Sequence, residues 1–286
     1  DTFEGRGGDD IFRVSGNVNR GDSVDGGSGT DQIIGSTLND RLLLSTLTSI
    51  ESISLGAGSD GFYINESMDF TGMTIDMGSD TDFLAAQQDA TMDLSSYTMG
   101  VDFISVEYIT DNTGTETVIG SDQADDIRMT ADTRADTFEG RGGDDIFRIS
   151  GNVNRNDSVD GGSGTDQIIG SSGGDILQLS SITGIESVDF GDGNDGFIIR
   201  AGMADGSYTI DMGDGTDYIQ AQTNNVLDIS AYTLGVDLLG LEYITDNTGS
   251  ETVIGTNQAD DIRIRDDAST DSFFGLGGDD VFTFSG

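Results

Sequence analysis

The chain has 286 residues, 53 of them acidic against 12 basic, giving a formal charge of −41. An excess that large opposes compaction unless cations neutralise it, and it makes nucleic acid an unexpected partner. Cys, His, Lys, Trp and Pro are all missing, so disulfides, thiol and imidazole nucleophiles, Schiff-base chemistry and the usual zinc sites are excluded, leaving carboxylates, hydroxyls and Arg.

Short apolar runs follow in order: Ile11 to Val14, Gln32 to Ile34, Leu42 to Leu44, Ile50 to Leu55, Phe62 to Ile64, Met73 to Met77, Met92 to Leu94, Phe103 to Ile109 and Ile127 to Met129. They are rich in Ile, Val, Phe, Tyr and Thr, and Gly, Asp, Asn and Ser separate them. That pattern predicts strands, and no window sustains a helical period, so the expected class is all-β. No apolar run is long enough to span a bilayer, and no export signal is visible, so membrane insertion is not expected.

The pattern then repeats. DTFEGRGGDDIFRVSGNVNR at Asp1 to Arg20 returns as DTFEGRGGDDIFRISGNVNR at Asp136 to Arg155, without insertion, and the same offset carries Asp60 onto Asp195 and Tyr97 onto Tyr232. We read copies at 1–135 and 136–270, with a third beginning at 271–286, as one continuous solenoid. The expectation is a window of a longer repetitive protein.

The loops between the runs carry recurring chemistry. GRGGDDIF (Gly5 to Phe12), GGSGTDQI (Gly26 to Ile33), GSTLNDRL (Gly35 to Leu42), LGAGSDGF (Leu55 to Phe62) and MGSDTDFL (Met77 to Leu84) all end in Asp, any residue, then an apolar residue. All five return in the second copy. Glycine lets the backbone turn sharply with carbonyls inward, Asp supplies a carboxylate at a fixed place, and the apolar residue two further on starts the alternation that fills a narrow core with Ile33, Leu42, Phe62 and Leu84.

The match to GGxGxDxUx, where U is apolar, resembles the RTX (repeats in toxin) family. That resemblance implies a right-handed parallel β-roll or β-solenoid with two short strands per coil and stacked Ca²⁺-binding loops. Coils of roughly twenty residues stacked at about 4.8 Å would make a rod of about thirteen to fifteen coils. The ligands it implies, by motif position, are Asp10, Asp22, Asp31, Asp40, Asp60, Asp82, Asp125, Asp136, Asp145, Asp157, Asp166, Asp175, Asp195, Asp217, Asp260, Asp271 and Asp280. Alongside them stand Gly5, Gly7, Gly26, Ser28, Gly140, Gly142, Gly161 and Ser163. Multiple Ca²⁺ ions are the expected cofactor.

Departures from the motif predict where metal is missing. Segments Leu47 to Ser54 and Ile182 to Asp189 put Glu51 and Glu186 at the Asp position and lack the glycines of the motif, as do Val106 to Thr110 and Leu241 to Thr245. These read as metal-free coils. Loops Ile119 to Ile127 and Ile254 to Ile262 lose the middle glycine and predict weaker binding. Stretches Ser67 to Gly72 and Ala201 to Ser207 match nothing and are expected to bulge outward.

Other readings fit less well. Asx turns alone do not demand Asp at the sixth position of every loop. A glycosidase acid and base would occur once, whereas Asp9-Asp10 and Asp144-Asp145 recur. Recurrent Arg6, Arg13, Arg20, Arg141, Arg148 and Arg155 read as a solvated strand face, and Phe12, Phe147 and Phe282 as core. No enzyme is expected. The expected role is structural and extracellular, secreted or cell-surface: a segment of an adhesin stalk, a filament or a surface layer that folds on binding Ca²⁺. The alternative is a secretion module of a type I-exported hydrolase or toxin. Expected partners are further copies of the chain, end to end or side by side, and cell-surface polysaccharide.

Overall fold

The structure, a computed structural model, describes residues 1–265 and 267–285. The side chains of Asn19, Arg20, residues 152–155 and Ser285 lie outside the described set, so the reading of Arg20 and Arg155 falls there. Among the described residues there is no helix; the regular elements are strands, wound as parallel stacked coils into a β-solenoid of about 13 turns in all. The chain forms two compact units, Asp1–Arg128 with Asp136–Asp145, and Met129–Ala135 with Ile146–Gly286.

In the first unit one column of parallel strands contains Ile11–Arg13, Gln32–Ile34, Ser52–Ser54, Thr74–Asp76 and Phe103–Ile104. Its register sets Phe12 opposite Ile33, Ile33 opposite Ile53, Ile53 opposite Ile75 and Ile75 opposite Phe103. A second column contains Asn17–Asp25, Arg41–Thr48, Gly61–Ile64, Phe83–Ala86, Tyr108–Thr110 and Asp126–Arg128. A third strand joins the longer turn that begins at Thr74, where Thr91–Asp93 pairs with Thr117–Ile119 and that in turn with Thr137–Gly142.

The second unit restates this pattern. Ile146–Arg148, Gln167–Ile169, Ser187–Asp189, Thr209–Asp211 and Leu238–Leu239 form one column. Asn152–Ser163, Ile176–Thr183, Gly196–Ile199, Tyr218–Ala221, Tyr243–Thr245, Asp261–Arg265 and Val281–Ser285 form the other.

Alternation along each strand decides what is inward, because successive side chains point to opposite faces. In Arg41–Thr48, Leu42, Leu44 and Leu47 are buried, and a register shift opposite Asp22 moves the alternation by one between Leu44 and Leu47. Ile33, Leu42, Phe62 and Leu84 are at most 1% exposed, as are Ile168, Leu177, Phe197 and Ile219. Of the three phenylalanines read as core, Phe147 is fully buried, Phe12 is half-buried, and Phe282 is 41% exposed in a strand with a single described neighbour.

The stretches expected to bulge outward are mostly exposed, but each sends side chains into the core. Phe70 is buried and packs edge-on against Phe62, Tyr97 and Phe103, with ring centroids 5.4 to 5.7 Å apart. In the second copy Met203 and Ala204 are buried, and the Tyr208 hydroxyl donates to the Met203 carbonyl at 2.8 Å. In the first copy Phe70 supplies the anchor, since leaving a Phe exposed forgoes roughly 1.5–3 kcal/mol.

Candidate metal sites

The carboxylates at the sixth loop position form inter-turn ladders. The backbone N–H of Asp10 donates to Asp31 Oδ1 at 2.8 Å, and that of Asp31 donates to Glu51 Oε2 at 2.6 Å. A longer ladder passes from Asp40 to Asp60 to Asp82 to Glu107, each N–H donating at 2.7 Å to the carboxylate one turn on. The second unit builds the same ladder from Asp175 to Asp195 to Asp217 to Glu242, and a short one from Asp166 to Glu186. Glu51, Glu107, Glu186 and Glu242, which the sequence marks as motif failures, are therefore ladder ends.

The motif glycines have a different role from the one expected. Positive φ falls on neighbours such as Arg6, Gly8, Gly27, Arg141 and Gly162, and not on Gly5, Gly7, Gly26, Gly140, Gly142 or Gly161. Gly26 is needed for close approach, because a Cβ there would lie 2.0 Å from the Ser49 carbonyl oxygen and 2.6 Å from Asp31 Oδ2. Gly5 and Gly161 face Asp10 and Asp166 in the same way. Gly7 bridges to Ser28 in the next loop, while Gly140, Gly142 and Ser163 lie within Thr137–Gly142 and Asn152–Ser163.

The second loop residue divides the aspartates into two kinds. Where it is Ser or Thr, the loop satisfies its own carboxylate. Asp40 accepts from Ser36 N–H at 2.6 Å and Ser36 hydroxyl at 3.0 Å, and also from Gly16 N–H; Asp175 is held likewise by Ser171 and Gly151. Ser121 holds Asp125, and Thr256 holds Asp260. Where that residue is Gly or Arg, one oxygen is left over: Oδ2 of Asp10, Asp31, Asp60, Asp82, Asp195 and Asp217 is buried with no hydrogen-bond partner. Burial holds the Asp60 and Asp217 carboxyls above the usual carboxylate range and pushes those of Asp82 and Asp195 up to about 6, against backbone N–H donors that pull the other way.

Asp22 and Asp157 stand outside the loops, at the register shifts in their long strands, and Asp157 is fully buried. Asp145 and Asp280 accept from the N–H groups of Asp125 and Asp260 at 2.8 and 3.2 Å.

Asp136 and Asp271 belong to a different arrangement, which the nonapeptide template misses. Asp111, Glu116 and Asp136 form one cluster and Asp246, Glu251 and Asp271 the other, each with a ligand oxygen from every member within 4.8 Å of the rest. The segments are DNTGTE at 111–116 and DNTGSE at 246–251. In the second, Gly249 has φ +140°, and a Cβ there would lie 2.7 Å from Glu251 Oε1, so the turn brings Glu251 back under its own loop. Glu251 Oε1 accepts from Asn224 N–H at 2.7 Å, its own N–H donates to Asp271 Oδ1 at 2.9 Å, and Asp246 Oδ1 accepts from Arg265 N–H at 2.9 Å. Asp246 and Glu251 are at most 2% exposed, and their second oxygens, Oδ2 and Oε2, are buried without a hydrogen-bond partner. Burial raises both carboxyls above their ordinary range.

Three converging carboxylates with spare buried oxygens suit a hard cation. Uncompensated, their burial costs free energy, and an ion supplies the missing partner. Two acidic residues spaced around Asn-Thr-Gly, repeated at both places, were the signal in the sequence. The chain matches no protein-family model, and no curated protein is significantly similar to it.

Proposed function

We propose that the chain is a calcium-stabilised structural solenoid of the RTX kind, working outside the cell as a segment of a stalk, filament or surface layer. The observation that carries this reading is the pair of three-carboxylate clusters at equivalent places in the two copies, with the spare buried oxygens of Asp246 and Glu251. An oxygen-only ligand set without His or Cys favours Ca²⁺, whose flexible coordination by carboxylates and carbonyls suits ligands drawn from several turns. Mg²⁺ asks for a tighter octahedron and keeps its waters.

With 41 formal negative charges in excess, the metal-free chain resists compaction, and filling sites shared between turns makes binding energy available as folding energy. Such a chain stays expanded at cytosolic calcium and folds at extracellular calcium. Ladders that recur without a unique site fit a length-giving element better than a reaction centre.

The test is a calcium titration followed by far-ultraviolet circular dichroism and calorimetry, with Asp246→Asn beside the parent. A cooperative gain of β signal reversed by chelator is expected, with fewer ions bound by the variant. A chain already β-rich in chelator that takes up no calcium overturns the reading. Light scattering that rises with folding would point to assembly over an isolated stalk.

A further inference from the structure

One surface of the second unit departs from the acidity of the rest. Outward residues of Gly196–Ile199, Tyr218–Ala221, Tyr243–Thr245 and Asp261–Arg265 build a ladder in which Tyr218 lies against Gly196, where a Cβ would come 2.4 Å from the ring. Tyr218 stacks on Tyr243, with centroids 5.6 Å and planes 20° apart, and the Arg263 guanidinium sits 3.8 Å over the Tyr243 ring. The ring faces are thus occupied by neighbours, which leaves edges, hydroxyls and cations to meet a ligand.

The ladder borders a hollow lined by Tyr218, Gln220, Tyr243, Thr245, Arg263 and Arg265, and Gln220, buried with its amide donating to the Asp246 carbonyl at 2.7 Å, also lines an adjoining hollow with Gln222, Asn225, Asn247 and Arg200. None of the residues lining either part is acidic, in a chain with 53 acidic residues, and three of the 12 basic ones converge here. Arg200 Nη2 donates to Asn156 Oδ1 at 2.7 Å, but its Nε is buried with no hydrogen-bond partner. Arg263 is shared with Asp261 at 3.2 Å, and Arg265 is exposed.

We propose that these two adjoining hollows together form a groove that binds an acidic polysaccharide, with uronate carboxylates on the arginines and sugar hydroxyls on the amides of Gln222, Asn225 and Asn247 and on the tyrosines. Guanidinium forks match carboxylates bidentately, and Gln and Asn both donate and accept, as sugar hydroxyls require. Neighbouring strands, about 4.8 Å apart, repeat like groups at close to the length of one pyranose. A nucleic acid brings denser charge against a strongly anionic protein and is disfavoured. The first copy carries Phe83, Ala85, Asn65 and Thr130 where the second has Tyr218, Gln220, Arg200 and Arg265, so binding is assigned to this face of the second copy alone. The ligand is additional to the structural role proposed above and does not depend on the identity of the metal.

The test uses the whole chain in calcium, with hexagalacturonate, maltohexaose and a short single-stranded DNA as probes in calorimetry, and circular dichroism in parallel. Hexagalacturonate is expected to bind, more weakly as salt rises, and maltohexaose not to bind. Arg263→Gln should weaken binding by about tenfold or more, and so should Arg265→Thr, which installs the residue the first copy carries at that place. Unchanged dichroism would exclude misfolding. A β-rich chain that ignores hexagalacturonate, or binds it equally well in both variants, overturns the groove and leaves the solenoid untouched. Tighter binding of DNA in the same groove also overturns it, and a chain without β signal in calcium counts against both proposals.

Discussion

The two copies keep the same carboxylate ladder but fill one corner of the core differently. In the first, Phe70, Phe103 and Tyr97 form an edge-to-face cluster against Phe62. The second has Asp205 and Leu238 at the places of Phe70 and Phe103, and brings in Tyr208 against Tyr232 and Phe190 against Phe197. Ladder residues, by contrast, are identical in kind: Asp31 and Asp166, Asp60 and Asp195, Asp82 and Asp217, Glu107 and Glu242. Apolar volume can be supplied by any side chain that reaches the gap, because dispersion and burial are not directional. A carboxylate that must accept an N–H from the turn before it has one place to stand.

The largest effect should come from emptying equivalent core positions. Phe62→Ala and Phe197→Ala are each expected to cost about 3–5 kcal/mol, read by denaturant unfolding in calcium. Equal costs would show that the two corners are equally well packed, and a gap above about 1 kcal/mol would show that one aromatic cluster carries more.

A smaller loss is expected under the outward aromatic ladders. A Cβ on Gly61 would lie 2.5 Å from the Phe83 ring, and one on Gly196 would lie 2.4 Å from that of Tyr218. Both alanine variants should lose about 1–3 kcal/mol through overpacking. Only Gly196→Ala should also weaken oligosaccharide binding, so loss of binding in neither, or in both, would break the distinction between the two faces.

The smallest effect concerns acid. Asp82 in the first copy and Asp195 in the second are held up to about 6 by burial, so each binds its proton more tightly folded than unfolded. Ionisation of such a group weighs against the fold, and the stability it withholds returns as pH falls from about 6 toward the ordinary carboxylate value of 3.8. In chelator the β signal should therefore grow between pH 7 and pH 5, and Asp82→Asn or Asp195→Asn should flatten that rise. A signal that falls on acidification would show that ionised ladders stabilise the metal-free chain.

Much of this was legible in the residues. The strand runs, their parallel coiling and the inward places of Ile33, Leu42, Phe62 and Leu84 follow from alternation and loop spacing, which are local in sequence. The six-residue acidic segments ending at Glu116 and Glu251 were equally visible, but they did not fit the nonapeptide pattern. Asp40 and Asp60 look alike in their loops, and one Ser at position 36 makes the first self-satisfied while the second keeps a spare oxygen.

The sequence by itself determined the class of fold, the repeat and the restriction of its chemistry to oxygen ligands and Arg, since these depend on residue type and on neighbours within a few positions. The tertiary structure decided which carboxylates meet, that Phe70 enters the core, and that Arg200 lies in a hollow adjoining that of Arg263 and Arg265. Each of those depends on which residue of one turn lies beside which residue of the next. That register is set by turn length and by bulges such as the one at Asp22, about twenty residues away along the chain and one strand spacing, about 4.8 Å, away in space.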